Sequence, residues 1–142
     1  MADVHNIATR SYNMSRIQGI DTKPEMIVRK YLHSNGLRYR LHNKKLPGKP
    51  DITLRKYQTV IFVNGCFWHG HKGCKYYVLP KTRTDWWKGK IEETIRRDKK
   101  SIRELKKMGW NPLVIWECEL KPAKRLKSLE NIMSKITEKA NY

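Results

Sequence analysis

Residues 64–74 read NGCFWHGHKGC, which places two cysteines, two histidines, a phenylalanine and a tryptophan among three glycines. Cys66, His71 and Cys74 stand in a C-x4-H-x2-C pattern, and a third cysteine, Cys118, follows 44 residues later. Three thiolates and an imidazole are soft donors that suit a tetrahedral zinc ion, and four protein ligands leave no open position for chemistry. The segment has too few apolar side chains to hold its own shape, which is where a metal clip stabilises most. The plainer reading makes Cys66 and Cys118 core residues on adjacent strands and His71 a surface histidine; spacing alone leaves both open. His69 need not point at the same ion as His71 and is free for acid–base work.

Two carboxylates add hydrolytic chemistry. Asp51 follows Pro50 and opens a strand after the turn KKLPGKP. A carboxylate facing a basic surface can hold Mg²⁺ against a phosphodiester while the ion activates water. On its own Asp51 reads more simply as a turn aspartate, and Glu25, in the first turn of a helix, as a partner of the helix dipole. Together Asp51, Glu25 and His69 could supply a metal ligand, a supporting carboxylate and an acid–base group.

The charge indicates what such a site would act on. Lys plus Arg number 31 against 13 Asp plus Glu, a formal charge of +18 on 142 residues. That excess repels itself in the folded state and calls for a polyanionic partner. The basic residues run from Arg38 to Lys127, which suits a groove lined by several elements, so DNA or RNA is expected ahead of an anionic membrane surface. No stretch approaches the roughly 18–20 apolar residues of a membrane span, and the polar N-terminus carries no signal-peptide core. A cytoplasmic location is expected, where cysteines serve as thiols or metal ligands rather than disulfides.

The elements that must position these residues follow from periodicity. A short helix is predicted around Ser11–Gln18. Asp21 or Thr22 caps a helix from near Pro24 to Gly36, with Ile27, Val28, Tyr31 and Leu32 on one face. LRYRL (37–41), DITL and TVIFV read as strands, and residues 64–83 as a loop. Asp85 to Met108 is the longest helical pattern, striped by Trp87, Ile91, Ile95, Ile102 and Leu105. PLVIWECEL reads as a buried strand ending near Cys118, and Leu126, Leu129, Ile132, Met133 and Ile136 as a final amphipathic helix. The order α-β-β-β-α-β-α predicts one α/β domain whose mixed sheet has helices on both faces.

Several linked motifs then resemble a known family. MADVH…ATRS…NM at the N-terminus, DT-x-x-E (21–25), LPGKPD (46–51), VIF-x-x-GCFWH (60–69), TRT-x-W-W (82–87) and GW…L-x-x-WEC (109–118) look like the very short patch repair endonucleases. These are bacterial enzymes that nick DNA beside a T·G mismatch left by deamination of 5-methylcytosine. The resemblance covers residues 1 to about 120. It implies a DNA-clasping arm (1–20) and a nuclease core of the PD-(D/E)-x-K, restriction-endonuclease-like type (21–120); with the amphipathic C-terminal helix (121–142), the chain reads by length as one domain over 1–142. By the same resemblance Asp51 holds a catalytic Mg²⁺ with the backbone carbonyl of Val63, His69 is the catalytic histidine and Glu25 its supporting carboxylate. Cys66, His71, Cys74 and Cys118 hold a structural Zn²⁺. Phe67, Trp68 and Trp87 wedge into the duplex, Met14 enters from the minor-groove side, and Lys90 faces bases in the major groove.

Wedges suit a mismatch because a T·G pair stacks less well and is easier to pry open; core packing is the plainer role for Phe67 and Trp68. Trp87 both continues the Ile91 stripe and matches the wedge position, which leaves its division of labour with Trp86 open. The implied partners are double-stranded DNA with a T·G mismatch and, functionally, a cytosine-5 DNA methyltransferase and mismatch-repair proteins. A single mismatch is an asymmetric target and suits a monomer. Rival readings are a restriction-type nuclease of the same fold and a zinc-stabilised DNA-binding module without catalysis; intact Asp51, His69 and Glu25 argue against the last. Two positions depart from the family. Phe62-Val63-Asn64 stands where wider nucleases have an acidic residue and a lysine, and where the family carries histidine for Asn64; asparagine can orient water or phosphate but takes up no proton. Thr94 replaces an expected asparagine on the helix that should face the bases.

Overall fold

The computed structural model describes residues 22–140. Thr22 caps the first helix, its hydroxyl accepting from the Glu25 amide at 3.4 Å, and α1 runs Lys23–Ser34 with Pro24 in its first turn. Proline fits there because that position has no intrahelical use for an N–H. The helix ends at Asn35, and Gly36 takes the left-handed conformation (φ +76°) that reverses the chain.

Strands β1 (Arg40–Leu41), β2 (Ile52–Leu54) and β3 (Thr59–Asn64) pair antiparallel, and β4 (Asn111–Trp116) runs parallel to β3. The sheet order is β1-β2-β3-β4. A parallel pair needs a long crossover, and α2 (Thr84–Lys107) supplies it; α3 (Arg125–Ala140) follows β4. Ile52, Leu54, Ile61 and Ile115 pack with Val28 and Leu32 of α1 and with Leu129, Ile132 and Ile136 of α3 as one core. Each such buried aliphatic side chain contributes about 1.5–3 kcal/mol. Strand alternation sends Phe62 to the opposite face, where α2 lies. There the turn before Asp51 is held close: a Cβ on Gly48 would stand 2.8 Å from Ser101 Cβ on α2 and 3.1 Å from Phe62 Cε1. The mixed α/β sheet with helices on both faces agrees with the sequence expectation.

Three local expectations need correction. The strand predicted over 37–41 shrinks to Arg40–Leu41, because Leu37 is drawn back to α1 by a hydrogen bond from its amide to the Leu32 carbonyl (3.1 Å) and is buried there. Cys118 lies beyond β4, in the 3-10 turn Glu117–Leu120. Leu126 is 64% exposed; it sits in the first turn of α3, before that helix reaches the core. The helix expected at Ser11–Gln18, the cap Asp21 and Met14 lie outside the described residues. None of the described helices is long and apolar enough to cross a membrane.

Candidate active site and metal centre

Asp51 sits where β2 begins, and its Oδ2 accepts a hydrogen bond from the Val63 amide of β3 at 2.7 Å. The neighbouring β-hairpin thus fixes the carboxylate through main chain rather than a mobile side chain. Burial pushes its carboxyl from the ordinary 3.8 up to about 6; the Val63 hydrogen bond opposes this, nearby Glu25 adds to it, and His42 and His69 oppose it. Glu25, in the first turn of α1, is 1% exposed. It is therefore much more than a partner of the helix dipole. Its Oε2 accepts from Arg29 at 3.1 Å, and the His42 Nε2–H reaches Oε2 at 2.9 Å and Oε1 at 3.1 Å. These donors replace the water that a buried carboxylate loses.

His42 carries no motif in the sequence, yet it joins the site at two points. Its amide donates to the Asp51 carbonyl at 3.0 Å while its ring serves Glu25. The residue adopts φ +48° to do so, in the left-handed region that few non-glycine residues enter. One ligand atom each from Glu25, His42 and Asp51 lie within 4.8 Å of one another. Two carboxylates converging in a partly dry pocket, one of them held protonated to about pH 6 by burial, form an oxygen-rich site that a hard divalent cation fits.

His69 follows the aromatic pair on the loop, and its Nδ1 lies 2.6 Å from Asp98 Oδ2 on α2. A carboxylate can only accept, so Nδ1 carries the hydrogen and Nε2 is left for a substrate or water. Sequence reading missed Asp98, whose partner is 29 residues away. The loop is pressed onto the same helix: a Cβ on Gly70 would stand 2.7 Å from both Ile91 Cγ2 and Ile95 Cδ1, and Gly70 takes φ +59°. Only glycine serves there. Asn64, at the end of β3, is 6% exposed and pairs in register with Trp116.

Cys66, His71, Cys74 and Cys118 converge, with one ligand atom from each all within 4.8 Å of one another. Cys118 Sγ and His71 Nδ1 are 3.4 Å apart, and the Tyr76 amide donates to Cys74 Sγ at 3.5 Å. The 3-10 turn after β4 brings Cys118 in, and the His71 ring stacks on Trp116 with centroids 4.0 Å apart. The buried Cys66 thiol is pushed up to about 12 by burial, which a bound cation would reverse. This Cys/His cluster could hold a metal ion, and its donor set fits a closed tetrahedral site.

Phe67, Trp68 and Trp87 form one cluster, with centroids 5.3 Å (Phe67–Trp68), 5.5 Å (Phe67–Trp87) and 5.7 Å (Trp68–Trp87) apart. All three are half-buried. Trp86 stands edge-on to Trp87 at 4.9 Å, is 47% exposed, and carries Arg83 and Lys90 over its ring at 4.9 and 5.8 Å. The Thr94 hydroxyl donates back to the Lys90 carbonyl at 3.1 Å, so it is occupied on its own helix.

Residues 2–75 match the profile of the DNA mismatch endonuclease Vsr family. The chain is 48% identical over 121 residues to the type II nicking enzyme V.NmeAIP of Neisseria meningitidis serogroup A, covering 85% of this chain and 86% of that protein. It is 45% identical over 134 residues to the type II nicking enzyme V.XorIIP of Xanthomonas oryzae pv. oryzae, 94% of this chain and 98% of the relative. It is 43% identical over 126 residues to the DNA mismatch endonuclease Vsr of Escherichia coli K12, 89% and 80%. Likeness of this extent, joined to a carboxylate pocket beside an oriented histidine, makes the chain a DNA endonuclease and a member of the DNA mismatch endonuclease Vsr family.

Proposed function

We propose that this endonuclease nicks one strand of duplex DNA beside a T·G mismatch in a Mg²⁺-dependent reaction, on a nuclease core of the PD-(D/E)-x-K type. The observation that carries the reading is the convergence of Asp51, Glu25 and His42 beside the His69–Asp98 pair, next to an aromatic cluster on the same loop. Asp51 is the residue to hold Mg²⁺, with the Val63 main chain beside it and Glu25 in support. When bound, the ion supplies charge neutralisation at the phosphate and a lower pKa for the attacking water. Asp98 holds the His69 ring in one tautomer, so that Nε2 faces the phosphodiester as acceptor and later returns the proton. Asn64 orients water or phosphate. Cys66, His71, Cys74 and Cys118 bind a structural Zn²⁺ that fixes the loop, which aims Phe67 and Trp68, backed by Trp87, at the mismatched step. Lys90 and the arm bearing Met14 complete the DNA contacts.

Such a mismatch arises from deamination of 5-methylcytosine, so the enzyme works alongside a cytosine-5 methyltransferase and the mismatch-repair proteins, in the cytoplasm and as a monomer. The test is a nicking assay on matched pairs of T·G and C·G duplexes with and without Mg²⁺. Nicking confined to the T·G duplex and to Mg²⁺ is expected. Equal nicking of both duplexes would assign the chain to restriction-type cleavage instead.

A further inference from the structure

Alongside the candidate active site, β1 is the edge strand of the sheet with β2 beside it, while α2 packs on β4 at the other side. A cleft of about 760 Å³ opens along this edge, lined by Arg38, Arg40, Arg55 and Lys56 with Tyr39 and Tyr57. The described residues that line it include no Asp or Glu. Arg38, Arg40 and Arg55 make no ion pair among the described residues. Guanidinium groups gathered at one cleft repel one another until an anion lies between them, and their planar forks match phosphate oxygens.

A second, independent observation lies at the floor. Thr53 lines the cleft, pairs in register with Arg40, and is 1% exposed. Its Oγ1 has no hydrogen-bond partner among the described residues. A buried hydroxyl left so costs about 1–3 kcal/mol, and a water or ligand oxygen in the cleft would remove that penalty. Thr53 stands two residues along β2 from Asp51, about 7 Å at the rise of a strand. Phosphates of one DNA strand advance by roughly 3.4 Å per nucleotide along the axis, so an anion held here lies within a few nucleotides of a phosphate at Asp51.

We propose that this cleft is a second phosphate-binding site, which grips a backbone phosphate of the substrate duplex on one flank of the cut. The placement on the duplex rests on the DNA-nicking function proposed above; the anion chemistry of the cleft does not. Contacts of this kind set register and affinity and carry no base sequence.

The test compares the whole protein with its Arg38→Ala/Arg55→Ala variant, and with Lys30→Ala/Lys135→Ala, on α1 and α3, as a charge-matched control. All four side chains are exposed, so the core is left intact, and thermal melting of each variant verifies this. Equilibrium binding to a T·G duplex is measured from roughly 50 to 200 mM salt. Each lost phosphate contact flattens the log–log salt slope by about 0.9. The cleft variant should therefore have a slope shallower by about 1–2, so that its affinity falls roughly 4- to 16-fold less over this range, while the control keeps the parent slope. Trimming the duplex on the flank beside the cleft should bring the parent to the slope of the cleft variant and leave that variant unmoved. Equal slopes for parent and cleft variant overturn the proposal. So does heat protection of the parent, and not of the cleft variant, by inorganic phosphate with no change in DNA slope, which would make the cleft a site for free anions. A shallower slope in a protein that does not nick T·G duplex would refute the proposed function while supporting the cleft.

Discussion

Replacing Asp51 with asparagine should stabilise the metal-free protein while abolishing nicking. Burial pushes the Asp51 carboxyl from 3.8 to about 6, so the folded chain holds this proton more tightly than the unfolded chain. Between those values the folded state binds more protons, and stability falls as pH rises through the window. At 1.36 kcal/mol per pH unit the ionised carboxylate costs up to about 3 kcal/mol above pH 6. Water reaches one side of the half-buried residue, which makes that figure an upper bound and about 1–3 kcal/mol the expectation. Asparagine keeps an oxygen to accept the Val63 amide and carries no charge. Melting in the presence of a chelator at about pH 8 should then place the variant roughly 4–10 °C above the parent, with the gap closing toward pH 4. A variant that melts at or below the parent at both pH values would refute the idea that the site stores the strain of a buried charge awaiting a cation.

Elemental analysis should find one Zn²⁺ per chain, and Cys118→Ser should lower thermal stability and change the fluorescence of Trp116, on which His71 stacks. Trp68→Ala should narrow the preference for T·G over C·G duplex, since stacking is worth about 1–3 kcal/mol per aromatic group, and leave the salt slope of binding unchanged; a folded variant with undiminished preference would defeat the wedge. Asp98→Asn should lower kcat by a factor of about 10²–10⁴ and alter its pH profile, with duplex affinity retained, because only the orientation and basicity of His69 change. Unaltered kcat would remove the pair from the mechanism.

The seven-element order was legible because hydrophobic period is a local property: the α2 stripe and the β-branched run of β3 announce themselves. Legibility failed where tertiary contact decides. Leu37 looked like the start of a strand, but its amide completes the end of α1. The apolar run PLVIW predicts a strand that reaches Cys118, whereas a 3-10 turn carries this residue toward His71. Glu25 on its own reads as an ordinary first-turn acid and gains its supporting role only through the family resemblance, since nothing local tells that a histidine 17 residues on will bond to it. His42 and Asp98 were invisible for the same reason: each acquires meaning only from a partner on another element. Pairing of Trp86 with Trp87 in sequence concealed their different exposure, which follows from the 100° turn between successive helical residues.

The packing of the loop on α2 makes that helix a splint. Trp87 meets the aromatic pair, Ile91 and Ile95 meet Gly70, and Asp98 holds His69, which are contacts at steps of four, four and three along one stripe. From first to last this spans about 16 Å at the helical rise, and a well-packed helix neither stretches nor shortens. Phe67, Trp68 and His69 are consecutive on the loop, so contacts spread over that length hold the aromatic pair and the histidine in one fixed relation. On the function proposed above, the groups that would read the mismatch and the group that would cut beside it share one splint, so the relation between them would belong to the protein and not to the DNA sequence around the target.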